Sequence, residues 1–220
     1  MQILYEDNHL LVVRKPAGVL IQGDRTGDVS LHEQAKEYLK QKYHKPGKVF
    51  LGIVHRLDRP TAGVVVFART SKAASRLSDQ FRRRSVRKIY WALVEGRVPD
   101  GGDFSDRIHR NSHRSKILTD QTAETGKAAN LRYHRKACSN GVSWVEIDLG
   151  SGRHHQIRVQ FAHRGHPVWG DFRYGSKRKF PRRTIALMAR SLTVTHPVSQ
   201  EPMTFVAEPE ADWPAEFRES

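Results

Sequence analysis

The amino-acid sequence predicts an α+β fold with a mostly antiparallel sheet, and three observations carry that reading. Runs of strand length recur throughout, among them Leu-Leu-Val-Val at 10–13, Val-Val-Val-Phe-Ala at 64–68 and Lys-Ile-Tyr-Trp-Ala-Leu-Val-Glu at 88–95. The helical signals fall among these strands without the regular alternation of a doubly wound fold. No internal repeat and no low-complexity linker interrupts the 220 residues, so a single domain over 1–220 is expected.

In chain order, residues 3–5 and 10–15 read as short strands joined by the polar turn Glu6-Asp7-Asn8-His9, and Lys15-Pro16-Ala17-Gly18 breaks the second. Ser30, with Glu33 three residues on, is a capping box for a helix over 31–43, which His44-Lys45-Pro46-Gly47 ends. A strand over 49–54 leads into the segment His55 to Gly63, and a strand over 64–69 leads out. Ser71 is expected to cap a second helix that carries Ala74, Leu77 and Phe81 on one face and ends in Arg82-Arg83-Arg84. Residues 88–95 form the next strand, and the polar stretch 99–127 reads as a hairpin or long loop. Strands over 130–135 and 142–149 flank a turn at Ser139-Asn140-Gly141. A helix is expected over 152–163, with Ile157 and Phe161 four apart and Gly165 as its C-terminal cap. After a basic loop, Lys177 to Arg183, strands over 185–195 and 203–207 complete the pattern.

The charge balance is 38 Lys+Arg against 23 Asp+Glu, a net +15 with a pI near 10.3. Such a charge concerns partners rather than fold, and nucleic acid is the polyanion it favours. A membrane surface is the weaker alternative, because no basic amphipathic helix with a rich apolar face is present. No apolar run approaches the roughly 18 residues of a membrane span, and the N-terminus lacks the charge-then-apolar pattern of a signal peptide. The lone Cys138 permits no intrachain disulfide, which fits a reducing cytoplasm, and a free cysteine is expected as a small hydrophobe, buried or half-buried. Two basic clusters stand out. Arg82, Arg83, Arg84, Arg87 and Lys88 follow Phe81, and the Lys177–Arg183 loop contains Phe180; contact with a nucleic-acid backbone is expected of both. The spacing of His109 with His113, and of His154 with His155, invites a metal. However, no Cys pair and no two-histidine, one-carboxylate pattern accompanies them, so none is expected.

The most informative segment is His55-Arg56-Leu57-Asp58-Arg59-Pro60-Thr61-Ala62-Gly63. A carboxylate between two arginines stands at the mouth of an apolar strand. The cations favour its ionised form, and Pro60 and Gly63 shape the loop that presents it. The segment is not a kinase catalytic loop, because the Gly-rich phosphate loop and the metal-binding Asp-Phe-Gly are missing. Gly101-Gly102-Asp103-Phe104 likewise lacks the acidic continuation of a cyclase signature. Taken singly, Asp58, Tyr90 in Arg87-Lys88-Ile89-Tyr90, and Arg158 in Gly152-Arg153-His154-His155-Gln156-Ile157-Arg158 each have a structural explanation: a turn, an amphipathic strand and a helix-surface cation.

In combination they resemble the RluA family of RNA pseudouridine synthases. Lys15-Pro16-Ala17-Gly18 is similar to that family's first motif and His55 to Gly63 to its catalytic motif. Lys88-Ile89-Tyr90 and Gly152 to Arg158 are similar to two later motifs, and Gly165-His166-Pro167-Val168-Trp169-Gly170-Asp171 to the segment that follows. The likeness spans about 3–206. Ala62, Ser151 and His154 depart from the family pattern without touching the carboxylate. The resemblance implies a stand-alone catalytic domain, without the S4-like RNA-binding extension of many relatives, able to work as a monomer.

The resemblance also implies a reaction. Uracil is detached from its ribose, turned over and rejoined through carbon, with no cofactor and no obligate protein partner. By the same resemblance Asp58 is the catalytic anion, Arg158 its partner, and Tyr90 the residue that packs on uracil and moves a proton, with Ile157 as the apolar floor. A stacked nucleotide must be flipped out, and the resemblance makes Arg56 the residue that fills the vacated place in the stack. His55, Arg59, Arg82, Arg83, Lys88 and Arg153 complete the substrate-binding set. The implied RNA is transfer RNA or 23S ribosomal RNA, held by shape and phosphate. The rival reading is a non-catalytic RNA-binding or RNA-folding protein on the same scaffold, which has no need of Asp58, Tyr90 and Arg158 together.

Overall fold

The computed structural model describes residues 1–111, 114–119 and 125–217, with Arg183 described by its backbone alone. In chain order its elements are β1 (Gln2–Glu6), β2 (Leu10–Lys15), α1 (Leu31–Lys42), β3 (Gly52–Ile53), β4 (Ala62–Ala68), α2 (Ser71–Arg83), β5 (Arg87–Glu95), β6 (Gly101–Arg110), β7 (Ser115–Ile117), β8 (Lys127–Ser139), β9 (Val142–Asp148), α3 (Gln156–His163), β10 (Leu187–Thr195) and β11 (Pro202–Val206). The α+β expectation is borne out. The residues gather into two compact units, Met1–Arg87 with Ala189–Glu208, and Lys88–Met188 with Pro209–Ser220.

In the first unit the strand order is β1-β2-β4-β10, with β11 on β10 and β3 on β4. The pairs β1–β2, β2–β4, β3–β4 and β10–β11 are all antiparallel. All seven residues of β4 are buried, which is why its sequence is a continuous apolar run rather than an alternation. α1 forms as its capping box predicts: the Ser30 hydroxyl accepts from the Glu33 N–H, and the Glu33 carboxylate accepts from the Ser30 N–H. α2 differs by one residue. Thr70, extended at φ −135°, is the N-cap, its hydroxyl accepting from the Ala73 N–H, and Ser71 is already helical. The strand expected over 49–54 shrinks to Gly52–Ile53. A Cβ on Gly52 would stand 2.9 Å from the Ala74 Cβ, so only glycine lets α2 lie this close.

In the second unit the order is β5-β9-β8-β6-β7, every pair antiparallel. Its core joins Ala92, Val94, Leu131, Tyr133, Val145, Ile147, Ile157 and Phe161. The stretch expected as a hairpin or loop is a hairpin built on a ten-residue strand, β6. Its inward positions alternate as Gly102, Phe104, Asp106 and Ile108, and Asp106 is tolerated there because Gln160 and Arg164 donate to it at 2.7 and 3.0 Å. A charge at an inward position concealed the period of two. α3 begins at Gln156, four residues later than expected. His155 is left-handed (φ 53°), and the Gln156 Oε1 accepts from the Arg153 N–H and the Ser151 hydroxyl, which holds 151–155 as a loop. Gly165, at φ 81°, follows the C-cap Arg164 as expected.

One burial expectation is overturned, and one aromatic of the basic clusters proves to be covered. Cys138 is exposed, because β8 turns its odd-numbered residues Ala129, Leu131 and Tyr133 inward and its even-numbered ones out. Phe180 is buried against Trp169, with ring centroids 5.5 Å apart, so it anchors its loop and offers no surface to a base.

Gly63, at the head of β4, has φ 121°, and a Cβ there would stand 2.2 Å from the Ala189 carbonyl oxygen on β10. Gly63→Ala is expected to destabilise the protein by about 3 kcal/mol through strain and overpacking. Gly141→Ala, with positive φ but open space around it, is expected to lose only about 1 kcal/mol. Urea unfolding midpoints of the two variants measure the difference.

Candidate active site

In the first unit the candidate residues cluster on the loop between β3 and β4. The Thr61 N–H donates to the Asp58 carbonyl at 3.0 Å, closing a four-residue turn with Arg59 and Pro60 at its corners. Asp58 is half-buried and Arg56 exposed. The loop is tied down from below. Lys15, the last residue of β2, is wholly buried, and its ammonium donates to the carbonyls of Pro16, Val19 and Arg59 at 3.1, 2.7 and 3.0 Å. The Gly18 N–H donates to the same Arg59 carbonyl at 2.8 Å. The segment Lys15-Pro16-Ala17-Gly18 therefore clamps the peptide next to Asp58. In the sequence these residues read only as a strand breaker and a family motif, and the clamp goes unseen. A lysine directly before Pro-Ala-Gly was the available signal.

His55 stacks on Phe81 of α2, with centroids 4.7 Å apart at 13°, and its Nε2 accepts from the Val66 N–H at 3.0 Å. The imidazole is thus neutral with Nδ1 protonated, and it pins the start of the loop to β4. Arg59 donates to the Gly18 carbonyl at 3.0 Å and pairs with Asp28 at 2.6 Å. Arg82 and Arg83 pair with Asp79 on the outer face of α2; both are well exposed, and such pairs contribute about 0–1 kcal/mol. The Thr61 hydroxyl is buried and finds no hydrogen-bond partner among the described residues.

The second unit holds the other candidates. Tyr90 of β5 is half-buried and packs on the same core cluster as Ile157, so these two are brought together. Lys88 is half-buried at the start of β5, and the Arg153 Nε donates to the Ala128 carbonyl at 3.0 Å. Arg158 is 4% exposed, on the inner face of α3 rather than the surface. Its Nε and Nη2 donate to Asp171 at 2.6 and 3.0 Å, a bidentate pair, and its guanidinium lies 5.2 Å from the centre of the Tyr174 ring. The Tyr174 hydroxyl accepts from the Ser115 N–H at 2.8 Å and shares a hydrogen bond of 2.9 Å with His155 Nδ1. Burial raises the Tyr174 pKa, so the phenol stays protonated. Burial, and then the charge of Arg158, lower the His155 pKa to about 2, so the imidazole stays neutral. Sequence reasoning gives no role to Asp171, although it ends the quoted segment Gly165 to Asp171, and it misses Tyr174 altogether.

Two arginines of the second basic cluster are occupied within their own unit. Arg182 pairs with Asp212 and Glu210 at 2.5 and 2.9 Å, and Arg178 lies over Trp169 at 4.8 Å. Among the described residues no group of three or more His, Cys, Asp or Glu is placed to hold a metal; His113 lies outside them. No described helix is long and apolar enough to cross a membrane.

A family model described as RNA pseudouridylate synthase matches residues 9–163. The Haemophilus ducreyi protein named "Dual-specificity RNA pseudouridine synthase RluA" is 34% identical, over 95% of this chain and 93% of its own length. "Ribosomal large subunit pseudouridine synthase D" of Xylella fastidiosa is also 34% identical, over 94% of this chain but only 65% of its own length. The chain thus spans just under two thirds of that relative. The solved structure "Human RNA Pseudouridylate Synthase Domain Containing 1" superimposes with a TM-score of 0.75 at 30% identity, covering 95% of this chain and 83% of its own. "Human RNA Pseudouridylate Synthase Domain Containing 4" superimposes with a TM-score of 0.80 at 23% identity, a likeness of fold. The resemblance read from the motifs is borne out.

This geometry has two consequences for stability. Lys15→Met keeps the length of the side chain but takes the ammonium donor from the Pro16 and Val19 carbonyls and loosens the hold on Arg59, and is expected to destabilise the protein by about 2 kcal/mol in urea unfolding. His155 makes stability depend on pH. Its folded pKa, about 2, lies below the unfolded value of about 6.5, so below pH 6.5 the unfolded chain takes up a proton that the folded chain refuses. Stability is therefore complete above that pH and is lost as pH falls, by about 1.4 kcal/mol at pH 5.5. Asn tolerates the left-handed backbone, so His155→Asn should remove that increment when ΔG of unfolding is compared at pH 7.5 and 5.5.

Proposed function

The chain belongs to the RNA pseudouridylate synthase family, and from that premise we propose that it isomerises uridine to pseudouridine in RNA, with Asp58 as the catalytic anion. The observation that carries the reading is the Asp58 turn, whose neighbouring peptide is clamped by the buried ammonium of Lys15. A carboxylate held on so rigid a support is suited to one fixed approach to the sugar or base. Composition favours the same substrate, since a +15 chain attracts a polyphosphate.

In the proposed reaction both units serve one catalytic domain. The target uridine leaves its stack, and the planar guanidinium of Arg56 takes its place. The detached uracil is retained against Tyr90 and Ile157, which excludes water while the ring turns over. Tyr90 exchanges the proton that carbon must lose when the new bond forms. Arg158 is the cation that pairs with Asp58 and aims it. His55 sets the start of the loop, while Arg59, Arg82, Arg83, Lys88 and Arg153 contact phosphates. No cofactor is required, because the rearrangement is redox-neutral and transfers no external group. We further propose action as a monomer in the cytoplasm on structured RNA, either transfer RNA or large-subunit ribosomal RNA; relatives are named for each.

Asp58→Ala decides between this reading and a non-catalytic RNA-binding protein. The expected outcome is loss of pseudouridine formation by at least about 10³-fold with RNA binding retained, read by pseudouridine mapping of cellular RNA incubated with each protein. Modification by Asp58→Ala at the wild-type rate overturns it.

A further inference from the structure

We propose that Asp171 is a positioning residue for this reaction, holding the Arg158 guanidinium in the single orientation that the chemistry uses; the inference rests on the role given to Arg158 above. Asp171 and Arg158 are 2% and 4% exposed. Asp171 grips the Nε–Nη2 edge of the guanidinium, with contacts of 2.6 and 3.0 Å. That edge-on grip fixes both the plane of the guanidinium and the direction in which Nη1 points.

The clamp is itself rigidly mounted. The Asp171 N–H donates to the Val168 carbonyl at 2.9 Å, and the Asp171 carbonyl accepts from the Tyr174 and Ser176 N–H groups at 3.0 and 3.1 Å. The preceding Gly170 is left-handed at φ 88°, and a Cβ there would stand 2.5 Å from the Thr184 carbonyl. Tyr174, one short 3₁₀ turn on, lies against the guanidinium, and its hydroxyl is fixed by Ser115 and His155. Two residues of one tight turn thus define where a single arginine lies.

Stability alone does not account for the pair. A buried ion pair is generally no more stabilising than apolar residues of the same volume, because desolvation offsets the Coulomb attraction. Its effect is geometric: an arginine without the clamp samples several rotamers, and displacement of a catalytic group by about 1 Å costs about 10²-fold in rate.

The test uses the full chain and three variants, Asp171→Asn, Asp171→Glu and Arg158→Lys, with the Asp171→Glu/Arg158→Lys double variant. Asp171→Glu keeps the ion pair but displaces it by one methylene, so it reports on position even if Asp171→Asn fails to fold. The expected result is a fall in kcat of about 10²-fold for folded Asp171→Glu, with KM for RNA within twofold of wild type. In the double variant Asp171→Glu should add no further loss to Arg158→Lys, as for residues that act as one unit. Wild-type kcat in folded Asp171→Glu, a loss confined to KM, or full additivity in the double variant overturns the inference. Asp58→Ala is assayed alongside. If it is inactive while the Asp171 variants are normal, this inference alone fails; if it is active, the functional reading beneath it fails.

Discussion

A lysine ammonium removed from water must be surrounded by oxygen, and Lys15 meets that requirement with the carbonyls of Pro16 and Val19 just after it and of Arg59, 44 residues on. This constraint organises the first unit. It brings the end of β2 to the loop between β3 and β4, and so sets the backbone next to Asp58. Gly63 continues the same closure, letting β4 approach β10 where any side chain would collide with the Ala189 peptide. His55 closes the other end of the loop through Val66 and Phe81. The candidate carboxylate therefore sits on a segment held at both ends and from beneath, although it lies outside any strand or helix.

The second unit solves a similar problem with a different set of partners. Arg158 points into the interior from α3, and the helix can bury it only because Asp171 and the Tyr174 ring receive it. The neutral states of His155 and Tyr174 belong to the same solution. With Arg158, Arg110 and Arg173 close by, a further cation on His155 would be both desolvated and repelled. The unit thus concentrates positive charge near the motif while keeping its buried ring uncharged.

Much of the fold is legible in the sequence because local signals agree with the tertiary outcome. The Ser30–Glu33 box places α1, the apolar run at 64–68 places β4, and Asn140-Gly141 places the β8–β9 turn, where both residues have positive φ. The failures share one cause, a residue whose partner a local pattern does not reveal. Asp106 disrupts the alternation of β6 because Gln160 and Arg164, which receive it, lie more than fifty residues on. The start of α3 is misplaced because the Gln156 side chain bonds backward to 151 and 153. Phe180 counts in the sequence only as an aromatic among basic residues, because Trp169, which covers it, lies eleven residues before it.

Composition, periodicity and ordered motifs are properties of the chain in one dimension. They were enough for the fold class and the family, and they singled out Asp58, Tyr90 and Arg158 as the residues of interest. Folding settled which charges satisfy one another. It assigned Arg59 to Asp28, Arg182 to Asp212 and Glu210, and Arg158 to Asp171. It also turned Lys15 from a loop marker into the support of the Asp58 segment. The physical reason is clearest at Arg158 and Asp171, where folding removes water from both charges and so commits each to the other; sequence spacing carries no measure of that desolvation.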